Sequence, residues 1–194
     1  GTSMTMGANS TLRIGSTKSF PGDNGIDSGG GGDYATYTLN ATSTVRYDGT
    51  AQTIKGSNVD YGNLILEGSG AKTSGNSFDI AGDWTFTSPI TFAHGNDIHT
   101  FDGTGAQEIN GTLTTVTFYT VEVNKSGGTI TNNGITNVNF AQELEMDAGT
   151  FLMDGESFNA QNLVDINGGT LQITAGSFRH DEDANGDWDQ DGGT

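Results

Sequence analysis

Oxygen-bearing side chains crowd residues 181–194. Asp181, Asp183, Asn185, Asp187, Asp189 and Asp191 occupy every second position of Asp181-Glu182-Asp183-Ala184-Asn185-Gly186-Asp187-Trp188-Asp189-Gln190-Asp191-Gly192. Such spacing around a turn-making glycine suits Ca²⁺, which takes roughly 6–8 hard oxygens from a flexible loop. Two registers compete. Asp181, Asp183, Asn185 and Gly186 match the first half of an EF-hand-type loop, but its twelfth position falls on Gly192 where a bidentate Glu is expected. Asp187, Asp189, Asp191 and Gly192 match the same opening, with the remaining ligands required beyond Thr194. The competing reading is a solvated, self-repelling acidic tail.

Other residues of chemical interest have plainer explanations. His94, Asp97 and His99 could form a small metal cluster, but a turn followed by a strand start, with both His exposed, accounts for them. Asp48, Asp102 and Asp154 invite a glycosidase reading, which needs two carboxyl groups roughly 5–10 Å apart. Each stands before a glycine, however, and Asp-Gly is a turn former whose carboxylate accepts a nearby backbone N–H. Polysaccharide lyases also need a basic residue, and the seven available (Arg13, Lys18, Arg46, Lys55, Lys72, Lys125 and Arg179) are scattered. Trp84, Trp188 and the five tyrosines could include a sugar-stacking platform, although inward positions are the commoner fate of strand aromatics. Thr85-Phe86-Thr87, Thr115-Val116-Thr117 and Thr129-Ile130-Thr131 do not recur at one interval, so no flat threonine array is expected. Asn-x-Ser/Thr acceptors at Asn9, Asn40, Asn110 and Asn124 are what chance yields in a chain so rich in these residues.

Composition narrows the choices further. Twenty-four acidic against 7 basic residues give a formal charge of −17, which opposes nucleic acid, whose phosphates need Lys and Arg to displace counterions, and favours cationic partners. Neither disulfides nor thiolate chemistry are possible without cysteine. No run approaches the roughly 20 apolar residues of a membrane helix, so membrane insertion by a helix is not expected. Gly1-Thr2-Ser3 is not a natural initiation site, and a segment of a longer protein is expected.

The elements that must position these residues are strands. With 31 Gly, 2 Pro and 16% charged residues, and with apolar side chains spaced throughout, the composition fits a folded all-β chain. Short strand patterns over residues 44–47, 52–55, 63–67, 78–80, 83–86, 98–101, 107–109, 116–123 and 129–131 are each bounded by Gly, Asn or Asp. Helical periodicity is nearly absent; its best candidate, residues 141–146, is too short to assign. A glycine-rich loop at residues 22–33 interrupts the first strands.

Two internal repeats define the architecture. Tyr47-Asp48-Gly49-Thr50-Ala51-Gln52-Thr53-Ile54 returns as Phe101-Asp102-Gly103-Thr104-Gly105-Ala106-Gln107-Glu108-Ile109, and Tyr119-Thr120-Val121-Glu122-Val123 stands where Gly62-Asn63-Leu64-Ile65-Leu66 stood. Within this long repeat, Gly128-Thr129-Ile130, Gly149-Thr150-Phe151 and Gly169-Thr170-Leu171 recur at 21 and 20 residues. A unit of about 20 residues that cannot bury its own apolar face must stack on its neighbours. The expected fold is therefore a parallel β-helix, or β-solenoid, of right-handed coils, two or three to each long repeat. It occupies residues 1–180, with residues 181–194 as an acidic, calcium-loop-like tail. Phe158 and Phe178 are expected in one inward ladder. An antiparallel sandwich is the rival all-β fold, but it leaves the short repeat unexplained.

Ser10-Thr11-Leu12-Arg13-Ile14-Gly15, residues 44–54 and Val121-Glu122-Val123-Asn124-Lys125-Ser126-Gly127-Gly128-Thr129-Ile130-Thr131 resemble the repeats of very large secreted or surface proteins of Bacteroidetes-type bacteria. The resemblance covers most of residues 10–175 and implies an adhesin-like stalk with a scaffolding or adhesive role outside the cell. It brings no catalytic residue with it. The expected function is a non-enzymatic rigid spacer or fibre-forming segment, calcium-stiffened at its acidic end. Neighbouring domains or identical subunits would join it end to end, with surface glycans as further partners. A carbohydrate-binding module and a polysaccharide-degrading β-helix are the alternatives.

Overall fold

The structure is a computed structural model that describes residues 3–17, 36–57, 59–181 and 188–194. The glycine-rich segment 22–33 lies outside the described residues. Every described element is a strand, and every strand pairing is parallel, so the chain winds as a β-solenoid of about 7 turns. Parallel strands cannot be joined by tight hairpins. The chain must travel once around the coil before a strand can meet its neighbour, and the repeat of about 20 residues is the length of that circuit.

Three strands make one turn. Thr44–Tyr47, Asn63–Leu66, Trp84–Phe86, Gln107–Gly111, residues 129–133 and 150–153, and Thr170–Ile173 stack in order as the first face. Gln52–Ile54, Gly70–Ser74 and Ile90–Ala93 begin the second face, which residues 115–118 and 137–140, Ser157–Ala160 and Ser177–His180 continue. Asp60–Tyr61, Phe78–Ile80, Ile98–Phe101, residues 120–124 and 143–146, Leu163–Ile166 and Trp188–Asp189 form the third. Ahead of these turns, Thr11–Ile14 pairs with Thr44–Tyr47, and Ser3–Met6 pairs with Thr36–Leu39.

Both sequence repeats acquire a geometric meaning. Thr129, Thr150 and Thr170 are register partners, so the short repeat is one coil. The long repeat is eight strands: counting forward from Thr44–Tyr47, the eighth strand is Ile98–Phe101. Eight is not a multiple of three. A repeated strand therefore lands on a different face, and Tyr47 lies on the first face while its counterpart Phe101 lies on the third.

Alternation fills the interior. Val45 and Tyr47, Leu64 and Leu66, Trp84 and Phe86 point inward from the first face and are fully buried. On the second face Phe118, Phe140, Phe158 and Phe178 are successive register partners, with centroids 6.4 Å apart for the first pair and 6.5 Å for the second. The expected pairing of Phe158 with Phe178 is the last step of this ladder. Offset stacking of this kind adds about 0.5–1.5 kcal/mol per pair to the burial of the rings. Residues 141–146 are extended, with Leu144 and Met146 inside and Glu143 and Glu145 outside. Their helix-forming composition yields to the register imposed by Val121 and Val123 one coil earlier.

Candidate functional site

Each face has its own chemistry. On the first, Arg13 reaches Asp48 and Arg46 reaches Glu67, acids supplied by the next coil. On the second, Asn137 donates to Thr115 (3.3 Å), Asn139 to Thr117 (3.3 Å) and Ser177 to Ser157 (3.0 Å), a polar surface that is neutral up to Arg179 on the last strand. The third carries acids. Asp60, Asp79, Thr100, Glu122, Glu145, Asp165 and Asp189 are register partners in that order, one per coil. Parallel in-register stacking places them about 4.8 Å apart.

Their outward position follows from the strand pattern. Five of the six acids sit between inward apolar residues: Val59-Asp60-Tyr61, Phe78-Asp79-Ile80, Val121-Glu122-Val123, Leu144-Glu145-Met146 and Val164-Asp165-Ile166. This apolar-acid-apolar triplet, present in five of the seven coils, is the signal that sequence reasoning missed. Drifting loop lengths hide its period. Glu143 and Asp147 widen the row at one coil, where both act on Glu145.

Among the described residues no cation forms an ion pair with the row. The ion pairs among the described residues join Arg13 to Asp48, Arg46 to Glu67 and Arg179 to Asp181, all elsewhere. Neutral donors serve instead: Thr100 Oγ1 donates to Glu122 (3.1 Å), Asn124 to Glu122 (3.3 Å), and Asn167 to Asp147 (3.2 Å) and Asp165 (3.3 Å). The second carboxylate oxygen of Asp165 is buried with no partner. Partial burial and then the charges of Asp147, Glu143, Glu122 and Asp165 push Glu145 up to about 7. Burial, followed by Asp165, Asp147 and Glu122, raises Glu143 as well. At the other end, burial and Asp79 raise Asp60.

A carboxyl group with a raised folded pKa binds more protons folded than unfolded, so its contribution to stability declines as pH rises from about 4.5 through about 7. Glu145→Gln is accordingly expected to raise Tm at pH 8 by about 2–4 °C, corresponding to about 1 kcal/mol after solvent screening, and to leave Tm unchanged at pH 4. Equal shifts at both pH values in thermal melts would show that repulsion along the row is not their cause.

The structure disperses the other sequence candidates. Asp48 and Asp154 lie on the corner between first and second faces, five coils apart, and Asp102 lies on the corner between third and first. They are turn residues and form no carboxylate pair. His99 corrects the expectation of an exposed strand start: it is fully buried, whereas His94 is half-buried and stacks on Tyr119 at 5.7 Å. The inward alternation of Ile98–Phe101 carries His99 to the interior. Tyr47, Tyr61 and Trp84 are core residues, so they provide no sugar platform. A depression of about 540 Å³ on the corner between third and first faces has Asp83 and Asp102 in its lining. Asp83 is engaged there, its Oδ1 accepting the Glu108 N–H at 2.8 Å.

Within the acidic tail, Asp183, Asn185 and Asp187 lie outside the described residues. Asp181 pairs with Arg179 at 2.5 Å, and its N–H donates to Ala160 O. Trp188–Asp189 returns to the solenoid, pairing with Val164 and Asp165. Asp189 thereby joins the third-face row, and Asp191 is exposed in the turn that follows. Among the described residues, no three His, Asp or Glu side chains converge on a point where a metal could sit. Comparison of the chain with protein-family models, curated proteins and solved structures returns no match.

Proposed function

We propose that this chain is a rigid, non-enzymatic spacer or fibre-forming segment of an extracellular bacterial surface protein. The observation that carries the reading is the uninterrupted in-register ladder through every coil on the first and third faces. Each coil is hydrogen-bonded to the next, so bending requires ladder bonds to break together. Ser177–His180 keeps one edge without a strand partner in the described chain, Thr170–Ile173 is met on its outer edge by Thr194, whose carbonyl accepts the Leu171 N–H (2.9 Å), and Ile173 and Trp188 beside them are about half exposed. Such an edge accepts a further coil of a neighbouring domain or of an identical subunit. The acidic row and the acids of residues 181–191 favour Ca²⁺ as the ion that stiffens the assembly, and the polar second face offers hydrogen bonds to surface glycans.

Negative-stain electron microscopy in millimolar Ca²⁺ and again in chelator tests the proposal. Seven coils at about 4.8 Å span only about 34 Å, so any rod much longer is an end-to-end assembly. Rods that shorten on chelation are the expected result. Rods indifferent to calcium would keep the polymer and remove the ion from it. Compact particles in both conditions would overturn self-assembly and turn attention to glycan arrays and polysaccharide hydrolysis.

A further inference from the structure

Two lysines are sealed inside the solenoid, Lys72 fully and Lys125 at 2% exposure, and among the described residues no carboxylate pairs with either. Oxygens of another kind surround them. Lys72 Nζ donates to Gly49 O (2.8 Å), Thr50 O (2.7 Å) and Gln52 Oε1 (2.7 Å), with Ser69 O at the rim (3.5 Å). Lys125 Nζ donates to Gly103 O (2.8 Å), Gly105 O (3.0 Å) and Gln107 Oε1. The glutamine oxygen is held in place both times. It accepts the N–H of Gly49 (2.9 Å) or Gly103 (3.1 Å), while its amide nitrogen donates one coil back, to Ile14 O (2.6 Å) or to Ile80 O (2.8 Å) and Gly82 O (2.7 Å).

The lysines arrive by different routes. Lys72 is the register partner of Gln52 and sits directly above it. Above Gln107 the register partner is Ile130, and Lys125 comes instead from the corner that precedes that strand. What recurs is the point in space, defined by the turn Asp-Gly-Thr-(Gly)-Ala-Gln, rather than the position that supplies the nitrogen. It recurs on two different corners of the coil, because the eight-strand repeat rotates the motif from one to the other.

We infer that this turn is a binding cage for a monovalent, ammonium-sized cation, which the chain fills with a lysine head group from the following coil. Its ligands are neutral oxygens at 2.7–3.0 Å from the nitrogen. Carbonyl oxygens so arranged replace the hydration shell of K⁺. A divalent ion entering the same cage would exchange its hydration for neutral ligands, with the carboxylates of Asp48 and Glu67, or of Asp102, acting only from beyond ion-pair distance. Sodium, being smaller, would have to draw the oxygens inward against the hydrogen bonds that hold them. The inference is independent of the proposed spacer role.

Lys72→Ala empties one cage and leaves the other filled. Its Tm is to be measured at one ionic strength in the chlorides of Na⁺, K⁺, NH₄⁺ and N-methylglucamine, beside the wild type. The expected result is a saturable rise of several degrees in K⁺ and NH₄⁺ over the other two, with the wild type the same in all four. Adding Gln52→Leu should abolish the response. If Lys72→Ala does not fold in any of the salts, Lys125→Ala is measured in its place. The inference is overturned if neither variant distinguishes K⁺ and NH₄⁺ from Na⁺, if neither folds in any salt, or if the wild type responds as the variant does.

Discussion

Acidification from pH 7 to pH 4 is expected to remove about 3 kcal/mol of stability through one side chain, His99. Its ring is packed against Phe78 (4.6 Å), Trp84 (5.0 Å), Phe92 (6.0 Å) and Phe118 (6.2 Å). Nε2 meets Ser74 Oγ at 3.1 Å, and Nδ1 is buried with no partner. A second proton would put a charge in an aromatic box with nothing to accept it. Burial lowers the group from its ordinary 6.5 to about 3, and the charge of His94 adds to the effect. Between these values the unfolded chain binds the extra proton and the folded chain does not, so stability rises with pH and is lost as pH falls through that window. At about 1.36 kcal/mol per pH unit the whole window amounts to roughly 4–5 kcal/mol, a large share of the 5–15 kcal/mol typical of a domain.

Glu145 acts in the opposite sense, and neutralising it together with Glu143 and Asp60 stabilises the fold as pH falls. His99 is the larger of the two, so the wild type is expected to lose stability on balance from pH 7 to pH 4, by less than His99 alone would cost. His99→Leu separates them. Leucine matches Leu144, two coils on in the same ladder, and Ser74 Oγ keeps its bond to Asn76 O (3.1 Å). The variant should lose the acid-side decline and go on gaining stability toward pH 4. Guanidinium midpoints at pH 7 and pH 4 decide the matter: if wild type and variant fall by the same amount, His99 is not the acid-sensitive group.

Coil length and strand identity were legible for a physical reason. A stacked coil must present like residues at like positions, so Gly149-Thr150-Phe151 and Gly169-Thr170-Leu171 betray the circuit directly. The long repeat is equally visible but could not be placed. It preserves strand order through eight strands, whereas position in the coil depends on order modulo three. Asp48 and Asp102 look equivalent in sequence and stand on different corners.

The acidic row was illegible for the converse reason. Its members share a face without sharing a local sequence beyond, in five of them, one acid between apolar neighbours. The intervals between them vary because the corners vary in length, from the single Gly62 to residues 102–106. His99 was misread because a His beside a turn carries no local sign of which way it points. Only the alternation of Phe78, His99, Val121 and Leu144 through successive coils sends it inward. For the acidic tail the sequence shows local spacing, and the strand pairing adds a neighbour that spacing does not show. Asp189 takes its surroundings from Asp165, on a strand one coil away.

Alanine at Gly103 should cost about 3–5 kcal/mol, while alanine at Gly155 should cost only about 1–2 kcal/mol, although both follow an aspartate in what reads as the same turn. A Cβ on Gly155 would meet nothing within 4 Å, and its φ of 98° is the whole of its requirement for glycine. A Cβ on Gly103 would stand 2.1 Å from Ala81 O and 2.8 Å from Gln107 Oε1. Gly103 is thus a spacing residue: its backbone lies against the coil beneath, and no rotamer change can relieve a contact with a carbonyl oxygen. To admit the methyl group the coils must part near the Asp102 N–H bond to Ile80 O (3.3 Å), or Gln107 must leave the cage that holds Lys125. Either movement leaves buried polar groups without partners, at about 1–3 kcal/mol each, in addition to the overpacking. Chemical denaturation of the two variants distinguishes the roles. Equal losses would mean that Asp-Gly serves only to turn the chain, whereas the expected disparity would mean that the repeated motif survives because it sets the distance between coils.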